Sequence, residues 1–254
     1  MSVDSPVVET AVPGSTEPAT RHRITIVCVV LALTGIASIP IGLLWPGGSN
    51  SGTVLKVDDV QSYRQTWWVL IMSGAVLTTL NVPAQAIAVL TLVREKGAKA
   101  ATWGAGLMWV GAMMQAVGLA GFAAAYFYPS DPSVSHDAGA AVFSSIAQDH
   151  AHLLAIQLPG HLLSTIGIVV QAVALFRSKA VPAWVPIVSL SILVTYVIPG
   201  SHVIGLVTQL PLAATCLGLA YYARRRLRVA DAGDHLRRAG GELAELMKQR
   251  RPLQ

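Results

Sequence analysis

Charge is what this chain has least of. Of its 254 residues 12% are charged, against roughly 25% in an ordinary soluble domain. The hydrophobic set makes up 53%, and mean hydropathy is +0.56. So few solvating groups exclude a soluble enzyme of ordinary composition, a disordered chain and a collagen-like fibre. Two cysteines, Cys28 and Cys216, exclude a disulfide scaffold. The short motifs of familiar chemistry are also missing: no G-x-S-x-G, no H-E-x-x-H, no phosphate-binding glycine loop and no C-x-x-C. Finally, no Asp, Glu, Lys or Arg falls inside a long apolar run. Ion- and proton-coupled pumps use such residues as relays, so that mechanism is disfavoured.

What is present is a series of apolar blocks. About 20 apolar residues cross ~30 Å of hydrocarbon as a helix. Six stretches meet or approach that length: 24–45, 67–93, 101–127, 151–176, 181–198 and 203–223. The fifth is the shortest and ends at Pro199-Gly200. Runs this continuous lack the alternation of barrel strands, and helices satisfy their own backbone in lipid. The sequence therefore predicts an all-α, polytopic integral membrane protein, a six-transmembrane-helix bundle occupying residues 21–223, with the lipid bilayer as its first partner.

Orientation follows from the basic residues. Arg21 and Arg23, then Arg94, Lys96 and Lys99, then Arg177 and Lys179, then Arg224, Arg225, Arg226 and Arg228 all fall on one side of the predicted membrane. The other side has only Lys56 and Arg64. The positive-inside rule then sets an N-in/C-in arrangement in the cell membrane, with both termini cytoplasmic. The same rule accounts for a sequence pI near 9.5, so no nucleic acid is expected as a partner. Arg predominates over Lys, and Ala and Val are abundant, as in a GC-rich bacterial genome. Aromatic anchors are expected at the outer boundary (Trp45, Trp67, Trp68, Tyr126, Tyr128) and the inner one (Trp103, Trp184, Tyr221, Tyr222).

Residues 1–20 read as a disordered cytoplasmic tail. The first span exceeds a normal signal-peptide core and no small-x-small cleavage site follows, so it reads as a retained helix. Residues 224–254 read as a basic cytoplasmic tail, partly helical and broken at Gly240-Gly241. A short pattern recurs in the even-numbered spans: Asn81-Val82-Pro83, Gln157-Leu158-Pro159 and Gln209-Leu210-Pro211. Either membrane helices simply use proline freely, or three helical hairpins descend from a duplication and turn their kinks towards one centre.

Polar side chains at membrane depth face the bundle or a water-filled cavity. Thr78, Asn81 and Gln85 share one face, as do Gln157, His161 and Ser164. Gly104, Gly111 and Gly118 form a small stripe at seven-residue intervals with Gln115 beside it, and Gln209 lies in the sixth span. Small stripes allow close helix approach, and lone amides serve as inter-helix glue. The leading expectation is a carrier, permease-like or accessory protein rather than an enzyme. Its polar cavity, open to the outside, is lined by Asn81, Gln85, Gln115, Gln157, His161 and Gln209, receives a small-molecule ligand and is covered by residues 129–150. His161 is the titratable group deepest in the membrane. A rival reading is a metal- or haem-dependent membrane enzyme using His161 with the outer His136, His150, His152 and His202. Asp149-x-x-His152 matches no recognised metal signature, and no cofactor is specified. A third reading is a structural or regulatory subunit that pairs with itself or another membrane protein through its C-terminal tail. The cysteines read as packing residues.

Overall fold

The computed structural model describes residues 18–44, 55–195 and 202–249. All of the regular structure among them is helical. The helices are α1 (Pro18–Leu44), α2 (Val57–Gln61), α3 (Arg64–Leu92), α4 (Ala98–Phe127), α5 (His136–Gln148), α6 (His150–Leu154), α7 (Gln157–Ser178), α8 (Trp184–Thr195) and α9 (His202–Gln249). Five are long and apolar enough to cross a membrane: α1, α3, α4, α7 and the 203–229 portion of α9. The expected fifth span corresponds to α8, whose twelve residues rise only about 18 Å. Residues 196–201, which continue that stretch, lie outside the described set, as do residues 1–17 and Trp45.

Element boundaries follow local chemistry. Pro18 opens α1 at a position where the missing N–H costs nothing. Gly97 takes φ +93° to turn the chain from α3 into α4, with Ala174 Cα at 3.2 Å from where a Cβ would stand, so both conformation and space call for glycine. Ser135 caps α5, its hydroxyl accepting from the Ala138 N–H. Span four starts later than expected, at Gln157 instead of 151. Pro159 therefore sits in the first turn of α7, where it breaks no hydrogen bond, whereas Pro83 and Pro211 lie inside α3 and α9. The three prolines thus stand in different local settings, one at a helix start and two inside helices. The break expected at Gly240-Gly241 is absent, since α9 runs through both residues to Gln249.

Two antiparallel seams organise the bundle. On α4, Gly104, Gly111 and Gly118 lie directly against α7, where they meet Gly167 and Gln171, then Gly160 and Ser164, then Gln157. Cβ atoms built at Gly111 and Gly167 would stand 2.6 Å from the Gly160 carbonyl oxygen and 2.8 Å from the Met108 backbone nitrogen. On α1, Gly35 and Gly42 meet Ala213 and Gly205 of α9, and the Cys28 thiol lies 3.4 Å from the Ala220 carbonyl. Seven-residue spacing keeps the small residues on one seam along the whole crossing. α3 runs between the two pairs, packing on α1, α4 and α9.

The ends of the bundle differ. At the basic end, one apolar core draws residues from α1, α3, α4, α7, α8 and α9, among them Leu31, Val89, Ala101, Leu175, Val185 and Leu219. At the other end the apolar core is built from α2, α3, α4 and α5 alone, around Val60, Trp67, Ile71, Tyr126 and Phe143. We call this the capped end. Trp67, expected as an interfacial anchor, is 1% exposed and stacks near Phe122 and Tyr126. Tyr126 is equally enclosed, edge-on to Phe143 at 4.9 Å. Their rings hold the cap together, while Tyr128, Trp103, Trp184 and Tyr221 do remain exposed.

Candidate functional site

The polar residues expected to line one cavity fall into separate groups. Asn81 of α3 donates through Nδ2 to Thr34 Oγ1 of α1 at 3.0 Å and approaches Cys216 Sγ of α9 at 3.2 Å. Gln85, one turn along, donates to the Asn81 carbonyl. All four are buried, so this network ties α1, α3 and α9 at mid-depth. Gln115 belongs elsewhere: its Nε2 donates to Ser164 Oγ at 2.7 Å and lies 3.2 Å from the Gly160 carbonyl, across the α4–α7 seam. Gln157 packs against Gly118 on that same seam with its Oε1 buried and unbonded. Gln209 lies against Gly42 on the α1–α9 seam. His161 is half-buried on α7, next in the chain to the seam residue Gly160.

Because the two amide clusters share no residue, their contributions to stability should add. Asn81→Ala and Gln115→Ala are each expected to cost about 1 kcal/mol, and the double variant their sum within about 0.5 kcal/mol. Denaturation of the detergent-solubilised protein measures it; a larger departure from additivity would mean one connected network.

A pattern in burial follows the bundle's length. On the interior stripe of α7, Ala172 and Ile168 are 1% and 7% exposed, but Thr165 and His161, towards the capped end, are only half-buried. α3 shows it over its middle only: Gln85 and Asn81 are buried and Thr78 and Gly74 half-buried, before Ile71 and Trp67 are buried again under the cap. On α9 the stripe runs from the buried Leu219 and Cys216 to the half-buried Leu212, Gln209 and Thr208, with Gly205 buried again against α1. The neighbouring Leu162 and Leu158 of α7 are 60% and 66% exposed, as residues facing lipid should be.

The histidines at the capped end are dispersed. His136 Nε2 lies 3.2 Å from Asp58 Oδ1, joining α5 to α2, and His152 Nδ1 lies 2.6 Å from Asp149 Oδ2 within one turn. The side chains of His150 and His202 lie outside the described set. Among the described residues no three His, Cys, Asp or Glu side chains come together.

Sequence reasoning missed a third construction at the capped end. Arg64 at the start of α3 donates through Nε to the Phe127 carbonyl at 2.9 Å, pairs with Asp131 at 2.9 Å and lies 3.7 Å above the Phe127 ring. Asp131 also accepts from the hydroxyl and the backbone N–H of Ser133. These bonds, with Arg64 beside them, hold its carboxyl below the usual carboxylate range. The available signal was scarcity: Arg64 is one of two basic residues on that side of the predicted membrane. The Thr34 and Cys216 partners of Asn81 were likewise readable only as polar atoms at matching depth.

Compared with protein-family models, curated proteins and solved structures, the chain has no match.

Proposed function

We propose that the chain is a six-span, N-in/C-in protein of the cell membrane that acts without chemistry of its own, as a carrier or permease-like binding protein. Its polar crevice opens at the capped, outward end and is closed at the basic, cytoplasmic end. The observation that supports this reading is a half-buried zone shared by α3, α7 and α9: Thr78, Thr165, His161 and Thr208 lie on stripes that are buried nearer the basic end. Among the described residues, the core that joins α1, α3, α4, α7, α8 and α9 lies at the basic end, and the buried core at the capped end includes none from α7 or α9. The expected lining is thereby narrowed. His161 belongs to the crevice, Asn81 and Gln85 form its floor, Gln115 and Gln157 serve the α4–α7 seam, and Gln209 serves the α1–α9 seam.

Cysteine accessibility tests this. The native thiols, 7% and 0% exposed, give a quiet background. His161→Cys and Thr165→Cys are expected to react with a membrane-impermeant maleimide on intact cells about tenfold faster than Leu162→Cys, since a thiol must meet water to ionise. Equal, negligible rates at all three positions would sink the crevice. Labelling in everted vesicles alone would keep the crevice and reverse the orientation.

A further inference from the structure

Four basic residues converge at the basic end in a way that topology alone does not require. Arg94 and Lys96, in the link between α3 and α4, and Arg225 and Arg226, on α9, border one cleft of about 690 Å³. Tyr222 adds a hydroxyl group to its wall, the Ser178 hydroxyl there being taken up by the Leu175 carbonyl and the Ala180 N–H, and Glu95 is its one carboxylate. Leu92, Ala180 and Val229 supply an apolar side. A positive-inside signal needs basic residues near helix ends, but not gathered around a cavity from segments 130 residues apart. One of the four is already committed: the Arg226 guanidinium donates to the Leu92 carbonyl at the end of α3, which fixes its position. Arg94, Lys96 and Arg225 are exposed, and among the described residues none of them makes an ion pair. Like charges held this close repel, and a bound anion offsets that repulsion.

We propose that this cleft binds a phosphate-bearing anion. Guanidinium forks match phosphate oxygens two at a time, a lysine adds a point charge, and the Tyr222 hydroxyl supplies a further donor. Basic pockets between helices at the cytoplasmic side take anionic lipid headgroups by this chemistry. A free phosphorylated compound offers the same oxygens. The proposal stands independently of the crevice at the opposite end.

The full chain in mild detergent is titrated with dihexanoyl phosphatidic acid and, separately, with inorganic pyrophosphate; dihexanoyl phosphatidylcholine is the zwitterionic control. Saturable binding of the acid or the pyrophosphate is expected, weakened about tenfold by R94Q/R225Q, or about 1.4 kcal/mol. R224Q/R228Q, which removes neighbouring charges outside the cleft, is expected to change it less than twofold. Pyrophosphate that binds and displaces the lipid identifies a free phosphorylated compound as the ligand. Binding of the lipid alone identifies a headgroup. Binding of neither, or equal weakening in both variants, overturns the proposal. A measurement on the unaltered chain guards against a variant that fails to fold: the bound probe is expected to slow acetylation of Lys96 at least several-fold while leaving Lys99, outside the cleft, unchanged. Equal protection of both lysines, or of neither, also overturns it.

Discussion

Gly111→Leu is expected to lower the melting temperature of the detergent-solubilised protein by roughly 10 °C or to prevent its recovery, while Gly106→Ala leaves it unchanged or raises it. The two glycines are five residues apart on the same helix and differ in what faces them. At Gly111 even a methyl group would stand 2.6 Å from both the Gly160 carbonyl oxygen and the Ser164 backbone nitrogen. Both are backbone atoms of α7, so relief requires moving the helix, and the Gln115–Ser164 bond goes with it. At Gly106 nothing lies within 4 Å. Alanine there gains up to about 1 kcal/mol of helix propensity and meets no obstacle. Tryptophan-fluorescence melts of both variants decide the matter; similar melting points would mean the α4–α7 seam is looser than its geometry.

Arg64→Ala should be the most damaging single change at the capped end, costing about 3 kcal/mol. Its side chain is 14% exposed and serves a carbonyl, a carboxylate and a ring together. Hydrogen bonds to a charged group contribute about 1.5–3 kcal/mol, and a largely desolvated cation over a ring adds about 1. Asp131→Asn should do less, because the Phe127 contacts survive. The pH dependence has a definite sign. The carboxyl of Asp131 is held below its usual range in the folded chain, so its contribution is complete above the unfolded pKa, near 4, and is lost as pH falls through the lower folded value. In melts between pH 7 and pH 3 the wild type should lose stability over that acid window more steeply than Asp131→Asn. Parallel curves would remove the pair from the account of the cap.

The sequence carried the class of fold because hydropathy and helix length are nearly the same information in a bilayer: α1, α3, α4 and α7 lie within the expected spans or extend them by a few residues. It also carried the Gly104, Gly111 and Gly118 stripe, since a seven-residue period needs no partner to be seen. What it could not carry was which face meets which helix. Asn81 and Gln115 look alike on a helical wheel, yet one bonds across to α1 and α9 and the other to α7, a choice fixed by the two glycine seams. Trp67 misled for a related reason: a tryptophan near a span's end is an anchor only if its side is open, and here Phe122 and Tyr126 of α4 lie against it. The charged residues near Arg94 and Arg225 spoke for topology, while their convergence on one cleft depends on α9 passing beside the α3–α4 link.

That passage of α9 has a mechanical side. Its 48 residues form one helix, about 72 Å at 1.5 Å per residue, of which about 30 Å extends past Val229. Pro211 lies within the seam, and past it no proline interrupts the rod where a bend could absorb rotation. A tilt of about 10° where it leaves the bundle would carry its far tip some 5 Å sideways. Any rearrangement that loosens the Asn81–Thr34–Cys216 tie, or that fills the cleft beside Arg225, is then delivered to the tip as movement. The helix works as a pointer whose short arm lies among the apolar helices and whose long arm can be followed by a fluorophore at residue 249.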